Sequence, residues 1–345
     1  MEHSTPVSEE ALALHHDSIV IDATSFFCEG HTELLETAGV TALNMTVPDI
    51  EDDAGGATKA IAEHYALVNS DEKLDFIFSG DDIRKAKTSG HVGLIIGAQN
   101  ARHMASKPYL VELFYRMGMR VSQIAYNDRN FAADGSATGA DAGLSNEGRV
   151  LVEQMNRVGM VLDISHVGAT SAAEAVEHSS LPPVASHSNP IAAGAKVPRN
   201  ISDDLMKAIA TKGGVIGLSP FPSLVWQGGD TPPNVEEYFD ILEYAVNLVG
   251  IDHIGIGTDK EATSGAYPRE VRLRLRRRFA FSTTGESGSL RDKFPDNNSP
   301  ELDGFRSLAD FPVLTQGMLD RGFDEDSVRK VLGLNFLRVF EDNWK

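Results

Sequence analysis

The sequence predicts an α/β fold, a single closed (β/α)8 TIM-type barrel. Three observations lead to this prediction: the chain has eight short apolar runs, helical patterns separate most of them, and 345 residues suit one large barrel. Regular alternation of strands and helices is typical of parallel sheets with right-handed crossovers. The alternation alone also fits an open, doubly wound sheet, and the number of strands and the chain length favour the barrel.

The predicted strands are continuous apolar runs rather than alternating ones, as expected of strands that are buried on both faces. In chain order they are Ser18–Asp22, Val40–Val47, Val92–Ala98, Val121–Tyr126, Met160–Ser165, Pro183–Ser186, Gly214–Ser219 and His253–Thr258.

Helical patterns lie between most of these runs. They are Thr58–Asn69, Pro108–Met117, Ser145–Val158, Ile201–Thr211 and Val235–Val249. Gly118 and Gly250 directly follow two of them, as glycines at helix C-termini do. Ser145 opens a segment similar to a capping box, although its acid, Glu147, comes one position early.

A long polar insertion, residues 264–305, follows the last predicted strand. We expect it on the C-terminal face of the barrel, as a lid or a subunit interface within one domain that comprises residues 1–345. Six arginines lie between Arg269 and Arg278. We interpret them as a solvated face that pairs with acidic surface, in preference to an anion-attracting rim or a subunit contact.

Composition excludes several classes of protein. The net charge of −19, from 50 acidic and 31 basic residues, disfavours binding to nucleic acid or to anionic membranes. Cys28 is the one cysteine, so there is neither a disulfide framework nor a CxxC metal site. The N-terminus lacks the pattern of a signal peptide, and no apolar run approaches ~20 residues. We therefore expect a soluble, cytoplasmic protein.

Polar residues close or follow several predicted strands, where the active site of such a barrel is built. They are Asp22, Thr24, Ser25, Gln99, Asn100, Tyr126, Asn127, Asp128, His166, His187, Ser188, Asp259 and Lys260. His166 and His187 follow adjacent strands, and neutral imidazole is a good ligand for zinc-like ions. Asp259 is placed to take a proton from a metal-bound water. Two histidines at equivalent positions favour a metal site over two buried structural histidines.

Several stretches together carry a resemblance to a known family. They are Gly143–Ser145, Gln154–Val167, Pro183–Ser188, Pro198–Asn200, Gly255–Asp259 and Gly333–Phe340. In these stretches the chain resembles the membrane (renal) dipeptidase family, which belongs with the amidohydrolase-like metal hydrolases and binds two zinc ions.

The resemblance implies roles for four residues. His166 and His187 match two ligands of one metal, and Asp259 matches the catalytic acid/base carboxylate. Arg199 matches the arginine that receives the substrate's carboxylate, a bidentate role that suits a guanidinium group. The alternative for Arg199 is an ordinary loop arginine.

The chain departs from the family at the other metal. Thr24 and Phe26 stand where the family has a His-x-Asp pair, Gln99 matches its bridging glutamate, and Tyr126 matches a histidine. A neutral glutamine lacks the negative charge that holds two dications a short distance apart. We therefore expect one divalent metal ion per chain, with zinc favoured.

Three kinds of site stay open. In the first, His166 and His187 bind one ion, and Gln99, Asp259 or water completes its coordination. In the second, local groups rebuild a site, and the candidates are Asp22, Cys28, Glu29, His31 and His103. In the third, the barrel has lost hydrolysis and only binds a ligand.

Our first hypothesis is hydrolysis of a small amide that bears a carboxylate, such as a dipeptide. Asp259 moves the proton, Arg199 binds the carboxylate, and Tyr126, Asn127 and Gln99 contact the substrate. The alternatives are a catalytically silent binding protein, or a hydrolase of a cyclic amide, an N-methylated compound or a lactone. By resemblance to the family we also expect a homodimer.

Overall fold

The structure is a computed structural model that describes residues 6–27, 30–105, 107–261, 290–294 and 301–345. Cys28, Glu29 and the arginines between Arg269 and Arg278 lie outside the described residues, as does most of the insertion. The side chains of residues 261, 291 and 292 are likewise not described.

The described part of the chain contains ten strands. They are β1 Ile21–Phe26, β2 Ala42–Thr46, β3 Leu74–Phe76, β4 Val92–Ala98, β5 Met119–Gln123, β6 Val161–Asp163, β7 Val184–Ala185, β8 Val215–Leu218, β9 Ile254–Ile256 and β10 Lys260–Glu261. All pairings between them are parallel, and they follow the order β10-β1-β2-β4-β5-β6-β7-β8-β9, with β3 paired to β4 beside this path.

The sheet closes into a barrel through an interrupted eighth strand. β9 pairs with β8, and β10, which follows after residues 257–259, pairs with β1. The two segments together occupy one position of the barrel, which therefore has eight. This confirms the predicted (β/α)8 barrel, and each of the eight predicted runs overlaps one barrel strand.

Two strands are displaced from their predicted bounds. The first runs over Ile21–Phe26 rather than Ser18–Asp22, because Thr24 and Ser25 are polar and yet buried within it. The Ser25 hydroxyl, for example, donates to the Lys260 carbonyl of β10. β5 is Met119–Gln123 rather than Val121–Tyr126, so Tyr126 and Asn127 lie beyond its end.

Helices surround the barrel. The described α-helices are α1 Glu9–Asp17, α2 Thr32–Thr37, α3 Ala54–Asn69, α4 Gly80–Ser89, α5 Tyr109–Arg116, α6 Asn146–Val158, α7 Ala169–His178, α8 Asp203–Thr211, α9 Pro222–Val225, α10 Val235–Val249, α11 Leu290–Lys293, α12 Phe311–Asp320, α13 Glu325–Arg329 and α14 Asn335–Asn343, the last preceded by a π-helical turn, Lys330–Leu334. Ser145 caps α6 by accepting from the Gly148 amide at 2.9 Å. Among the described residues, no helix is both long and apolar enough to cross a membrane.

The barrel interior is apolar where the strands begin. Inward-facing strand residues, among them Val161, Val184 and Val215, form one buried cluster with Phe336 of α14. A Cβ added to Gly255 would lie 2.4 Å from the Phe336 ring, so the glycine leaves the space that this ring fills. α14 therefore plugs the N-terminal end of the barrel, and the opposite end carries the polar residues.

We expect Phe336→Ala to lower the free energy of unfolding by about 3–5 kcal/mol, because it empties a buried site that strands on several sides line. Urea unfolding measures this change. Phe336→Leu, which keeps most of the apolar volume, serves as the control and should cost less. A loss below ~1 kcal/mol for the alanine variant would contradict the packing role of the ring.

Candidate functional site

His166 and His187 meet at the C-terminal end of the barrel. They follow β6 and β7, both are fully buried or nearly so, and their Nε2 atoms lie 2.8 Å apart. The Tyr126 ring stacks on the His166 ring, with 4.0 Å between the centroids and 22° between the planes. The two imidazoles predicted to share a metal are thus in direct contact.

Three residues of this site adopt a left-handed backbone conformation. Within the described residues, Asn127, His166 and Asp259 are the non-glycine residues with positive φ, at 51°, 66° and 52°. Asn, Asp and His tolerate this region better than other side chains, and such residues cluster at functional sites. Each turns the chain directly beyond a barrel strand.

Each imidazole has a hydrogen-bond partner at Nδ1. His166 Nδ1 lies 2.8 Å from Asn127 Oδ1, and the same oxygen accepts from Ser136 Oγ at 3.1 Å. His187 Nδ1 lies 2.7 Å from Ser186 Oγ, whose own hydrogen goes to Asp163 Oδ2 at 2.5 Å. The neutral His187 ring is therefore protonated on Nδ1, and its Nε2 lone pair faces Nε2 of His166.

The surroundings disfavour an added proton on either ring. Burial lowers the pKa of His166 and of His187 well below the usual 6.5, and the nearby positive charge of Arg199 lowers both further. Two neutral imidazoles whose Nε2 atoms converge in a buried site are the arrangement in which histidines hold a metal ion.

Asp259 borders the histidine pair. Its Oδ1 lies 4.0 Å from His187 Nε2, and its side chain is about one tenth exposed. The Asp259 amide donates to the Thr24 carbonyl at 2.8 Å, which attaches this residue to β1. The carboxylate is thus close enough to serve the same reacting group as the histidines.

Asp22 connects the first and last strands beneath Asp259. Its carboxylate accepts from the Thr258 amide at 2.8 Å, the Thr258 hydroxyl at 2.6 Å and the Thr24 amide at 3.3 Å. Burial raises the Asp22 pKa to about 7, against the opposing effect of these hydrogen bonds. The carboxylate has a structural role, so it is not a free ligand for a rebuilt metal site.

Arg199 is buried next to His187. One Nη donates to the His187 carbonyl at 2.8 Å, and the other donates to Ser188 Oγ at 3.2 Å. Burial lowers the Arg199 pKa, and the negative charge of Asp259 opposes this effect. The guanidinium therefore belongs to the same cluster as the histidines and the carboxylate.

Three other polar residues near the strand ends make hydrogen bonds to their neighbours. Gln99 Nε2 donates to Thr46 Oγ1 at 2.9 Å, and Asn127 holds His166 through its side-chain oxygen. Asn100 stabilises the loop after β4 by donating to the Ile50 carbonyl at 2.8 Å.

Lys260 points to the described end of the insertion. Its Nζ donates to Glu301 Oε2 at 2.6 Å and to the Arg306 carbonyl at 3.0 Å. This buried lysine is therefore engaged with residues beyond β10 and not with the histidine pair.

The residues at the positions of the family's other metal do not supply ligands for a second ion. In the described ranges, no group of three or more His, Cys, Asp or Glu side chains is arranged to hold a metal ion. The Thr24 hydroxyl, at the position of a family ligand, donates to the Ala23 carbonyl at 2.5 Å. His103 packs edge-on against the Phe114 ring, with 4.7 Å between the ring centroids. His31 packs in the same way against Phe27, with 6.2 Å between the ring centroids.

Sequence analysis missed the residues that support His187. Asp163, Ser165 and Ser186 lie inside or at the ends of predicted apolar strands and are all buried. A signal was present, because a polar residue inside a buried strand needs hydrogen-bond partners there. The partners themselves come from neighbouring strands and could not be identified from the sequence.

The chain matches the membrane dipeptidase family, peptidase family M19, over residues 38–270, which is more than half of its length. Dipeptidase tcpJ of Claviceps purpurea is 25% identical over 275 residues, 79% of this chain and 56% of the relative. The chain thus spans little more than half the length of this curated relative.

Solved structures share the whole barrel. An amidohydrolase from Pseudomonas aeruginosa is 33% identical, with a TM-score of 0.85 over 97% of this chain and 99% of that one. A metallo peptidase from Rhodobacter sphaeroides, liganded with a phosphinate mimic of the dipeptide L-Ala-D-Ala, is 18% identical, with a TM-score of 0.75 over 95% of this chain and 100% of that one.

Asp22 should make the stability of the protein depend on pH. Because its folded pKa of about 7 lies above the ordinary 3.8, its contribution is fully present below pH ~4 and is lost as the pH rises to ~7. The loss is about 1.4 kcal/mol per pH unit at most. We expect Asp22→Asn, which cannot ionise, to lack this fall. Urea unfolding of both proteins from pH 4 to 8 measures it, and parallel pH profiles would contradict it.

Proposed function

The chain belongs to the membrane dipeptidase family, and from this premise we propose that it is a metal-dependent, dipeptidase-like hydrolase of a small amide. The proposal includes one divalent ion per chain, with zinc favoured. The observation that carries it is the convergence of the Nε2 atoms of His166 and His187, 2.8 Å apart, in a buried site beside Asp259.

The two histidines would hold the ion through their Nε2 atoms, and the Gln99 oxygen, Asp259 or water would complete its coordination. When bound, such an ion polarises a carbonyl or lowers the pKa of a water molecule. Catalytic zinc sites usually have about three protein ligands, so a site with two histidines depends strongly on both.

Asp259 would move the proton in this reaction. Its carboxylate takes the proton of the attacking water and delivers it to the nitrogen of the leaving amine. The backbone bond to Thr24 and the adjoining Asp22–Thr258 hydrogen bonds hold Asp259 in place for both steps.

Arg199 would bind the substrate's carboxylate. A buried guanidinium is a strong local positive charge, which an anionic substrate needs on a protein with a net charge of −19. Tyr126, Asn127 and Gln99 are the neighbouring polar groups that would contact the substrate or its oxyanion. The dipeptide mimic bound by the Rhodobacter sphaeroides metallo peptidase makes Ala-D-Ala dipeptides a natural first substrate to assay.

A second candidate is a catalytically silent binding barrel. Within the described ranges, no group of three or more His, Cys, Asp or Glu side chains is already arranged to hold a metal ion, and a barrel without such a site fits this candidate. A silent barrel keeps its stability and its ligand affinity in the presence of a chelator, whereas a metal hydrolase loses activity.

A third candidate is hydrolysis of a cyclic amide, an N-methylated compound or a lactone. Thr24, Phe26 and Gln99 would then be substrate contacts in place of ligands for a second metal. A substrate panel that includes these compounds beside dipeptides separates the two hydrolase activities. The homodimer and the cytoplasmic location stay predictions, and light scattering on the purified protein tests the former.

Elemental analysis of the untagged protein should find about one zinc, manganese or iron ion per chain. His166→Ala and His187→Ala should each lower the bound metal and the activity together, because each removes one of two imidazole ligands. His178→Ala is the matched control, since this half-buried histidine pairs with Glu153 on the surface. The proposal would be contradicted by a protein that contains no metal and whose thermal stability does not change when zinc or a chelator is added.

Asp259→Asn should keep the metal and lower turnover by about 10²–10⁴-fold, because the amide cannot accept the proton. Metal content and kcat for the best substrate are the two measurements. Turnover at the wild-type level would remove Asp259 from the mechanism without touching the metal proposal.

A further inference from the structure

A buried chain of hydrogen bonds supports His187 from behind. Asp163 Oδ1 accepts from the backbone amides of Ser165 and Ser186, both at 3.0 Å. Asp163 Oδ2 accepts from Ser186 Oγ at 2.5 Å and from Gln123 Nε2 at 3.1 Å. Asp163 and Ser186 are almost completely buried, so water does not compete for these bonds.

The direction of each bond in this chain follows from the number of hydrogens available. A carboxylate only accepts, so the Ser186 hydroxyl must donate its single hydrogen to Asp163. The Ser186 oxygen can then only accept from His187 Nδ1, which lies 2.7 Å away. His187 therefore carries its hydrogen on Nδ1 and keeps a lone pair on Nε2.

We propose that Asp163 and Ser186 are positioning residues that select the His187 tautomer with a free Nε2, and so prepare this nitrogen to bind a metal ion. The consequence for the metal rests on the function proposed above, whereas the choice of tautomer is a property of the protein without metal. Neither residue touches the reacting atoms. Both act through His187.

Replacing Asp163 by Asn should reverse the chain of hydrogen bonds. The Asn oxygen must remain on the two backbone amides, so its NH2 group occupies the position of Oδ2 and donates to Ser186 Oγ. The serine hydrogen then turns to His187 Nδ1, at 2.7 Å, in preference to Ser165 Oγ, at 3.4 Å, and the imidazole is left with its hydrogen on Nε2, where it blocks metal binding. Asn has nearly the size of Asp and differs in one group, an NH2 in place of an oxygen. The substitution is therefore expected to change the His187 tautomer without changing the packing.

The neighbourhood can accept this reversal. Gln123 Nε2 donates to Asp163 Oδ2, whereas Gln123 Oε1 has no hydrogen-bond partner among the described residues. A rotation of the Gln123 amide by half a turn presents that oxygen to the new NH2 group. The variant therefore keeps a hydrogen-bonded core, and its defect should lie in the tautomer more than in folding.

Removing the serine gives a different and diagnostic result. In Ser186→Ala, His187 Nδ1 loses its acceptor and neither tautomer is imposed, so the loss of metal affinity should be mild. In the double variant Asp163→Asn/Ser186→Ala, the group that forces the wrong tautomer is gone. The double variant should therefore bind metal more tightly than Asp163→Asn alone, an order that a simple loss of structure does not produce.

The test is the zinc affinity of the four proteins, measured by competition with a chelator of known affinity. We expect Asp163→Asn to weaken binding by about 10–100-fold, and Ser186→Ala and the double variant by less. Ser122→Ala is the matched control, because this buried serine on β5 donates only to the Gln123 carbonyl. Equal affinities for the wild type and Asp163→Asn, or a double variant weaker than both single ones, would overturn the proposal.

Nitrogen-15 NMR of the metal-free proteins reads the tautomer directly. We expect a protonated Nδ1 on His187 in the wild type, a protonated Nε2 in Asp163→Asn, and a mixture in Ser186→Ala. If the wild type binds no zinc and the tautomers follow this order, the metal hydrolase proposal fails and the positioning role stands. If zinc binds and the His187 tautomer is the same in all variants, the positioning role fails and the metal proposal stands. Should Asp163→Asn not fold, the Ser186→Ala spectrum still decides, since a single Nδ1-protonated form there contradicts the role of Ser186.

Discussion

Barrel closure and the site both depend on the Asp22 carboxylate, which is buried between the first and last strands and connects them by hydrogen bonds. It holds Thr258 through two hydrogen bonds, and Asp259 follows directly in a left-handed conformation. A buried carboxylate costs free energy unless donors surround it, and three donors do so here. Because Asp22 binds Thr258, the residue before Asp259, the hydrogen bonds that close the barrel also hold the proposed proton carrier in place.

The two ends of the barrel differ in polarity. Apolar side chains and Phe336 fill the end where the strands begin, and hydrogen-bonded polar groups fill the end where the strands stop. At the polar end, His166, His187 and Arg199 have almost no exposure to water. In such surroundings neutral imidazoles and directed hydrogen bonds have larger effects than they would at a wet surface.

The resemblance to the family leaves no ligand set for a second metal ion in this chain. Threonine, phenylalanine and glutamine stand at the positions where the family has ligands, and the first and last of these make ordinary hydrogen bonds to nearby groups. What remains is a pair of imidazoles oriented by Asn127 on one side and by Ser186 on the other. This arrangement is consistent with one cation and with a substrate whose own carboxylate meets Arg199.

The sequence by itself determined the barrel, because eight continuous apolar runs with helices between them have few other ways to bury their surfaces. It also placed His166, His187 and Asp259 at one end, since parallel strands present their C-terminal ends together. It could not reveal that β1 extends to Phe26 or that the eighth strand is interrupted, because buried polar residues break the apolar pattern at both places. Only the tertiary structure decided that Asp163 and Ser186 orient His187, since their partners lie on neighbouring strands and hydrogen-bond direction depends on distances that no sequence pattern contains.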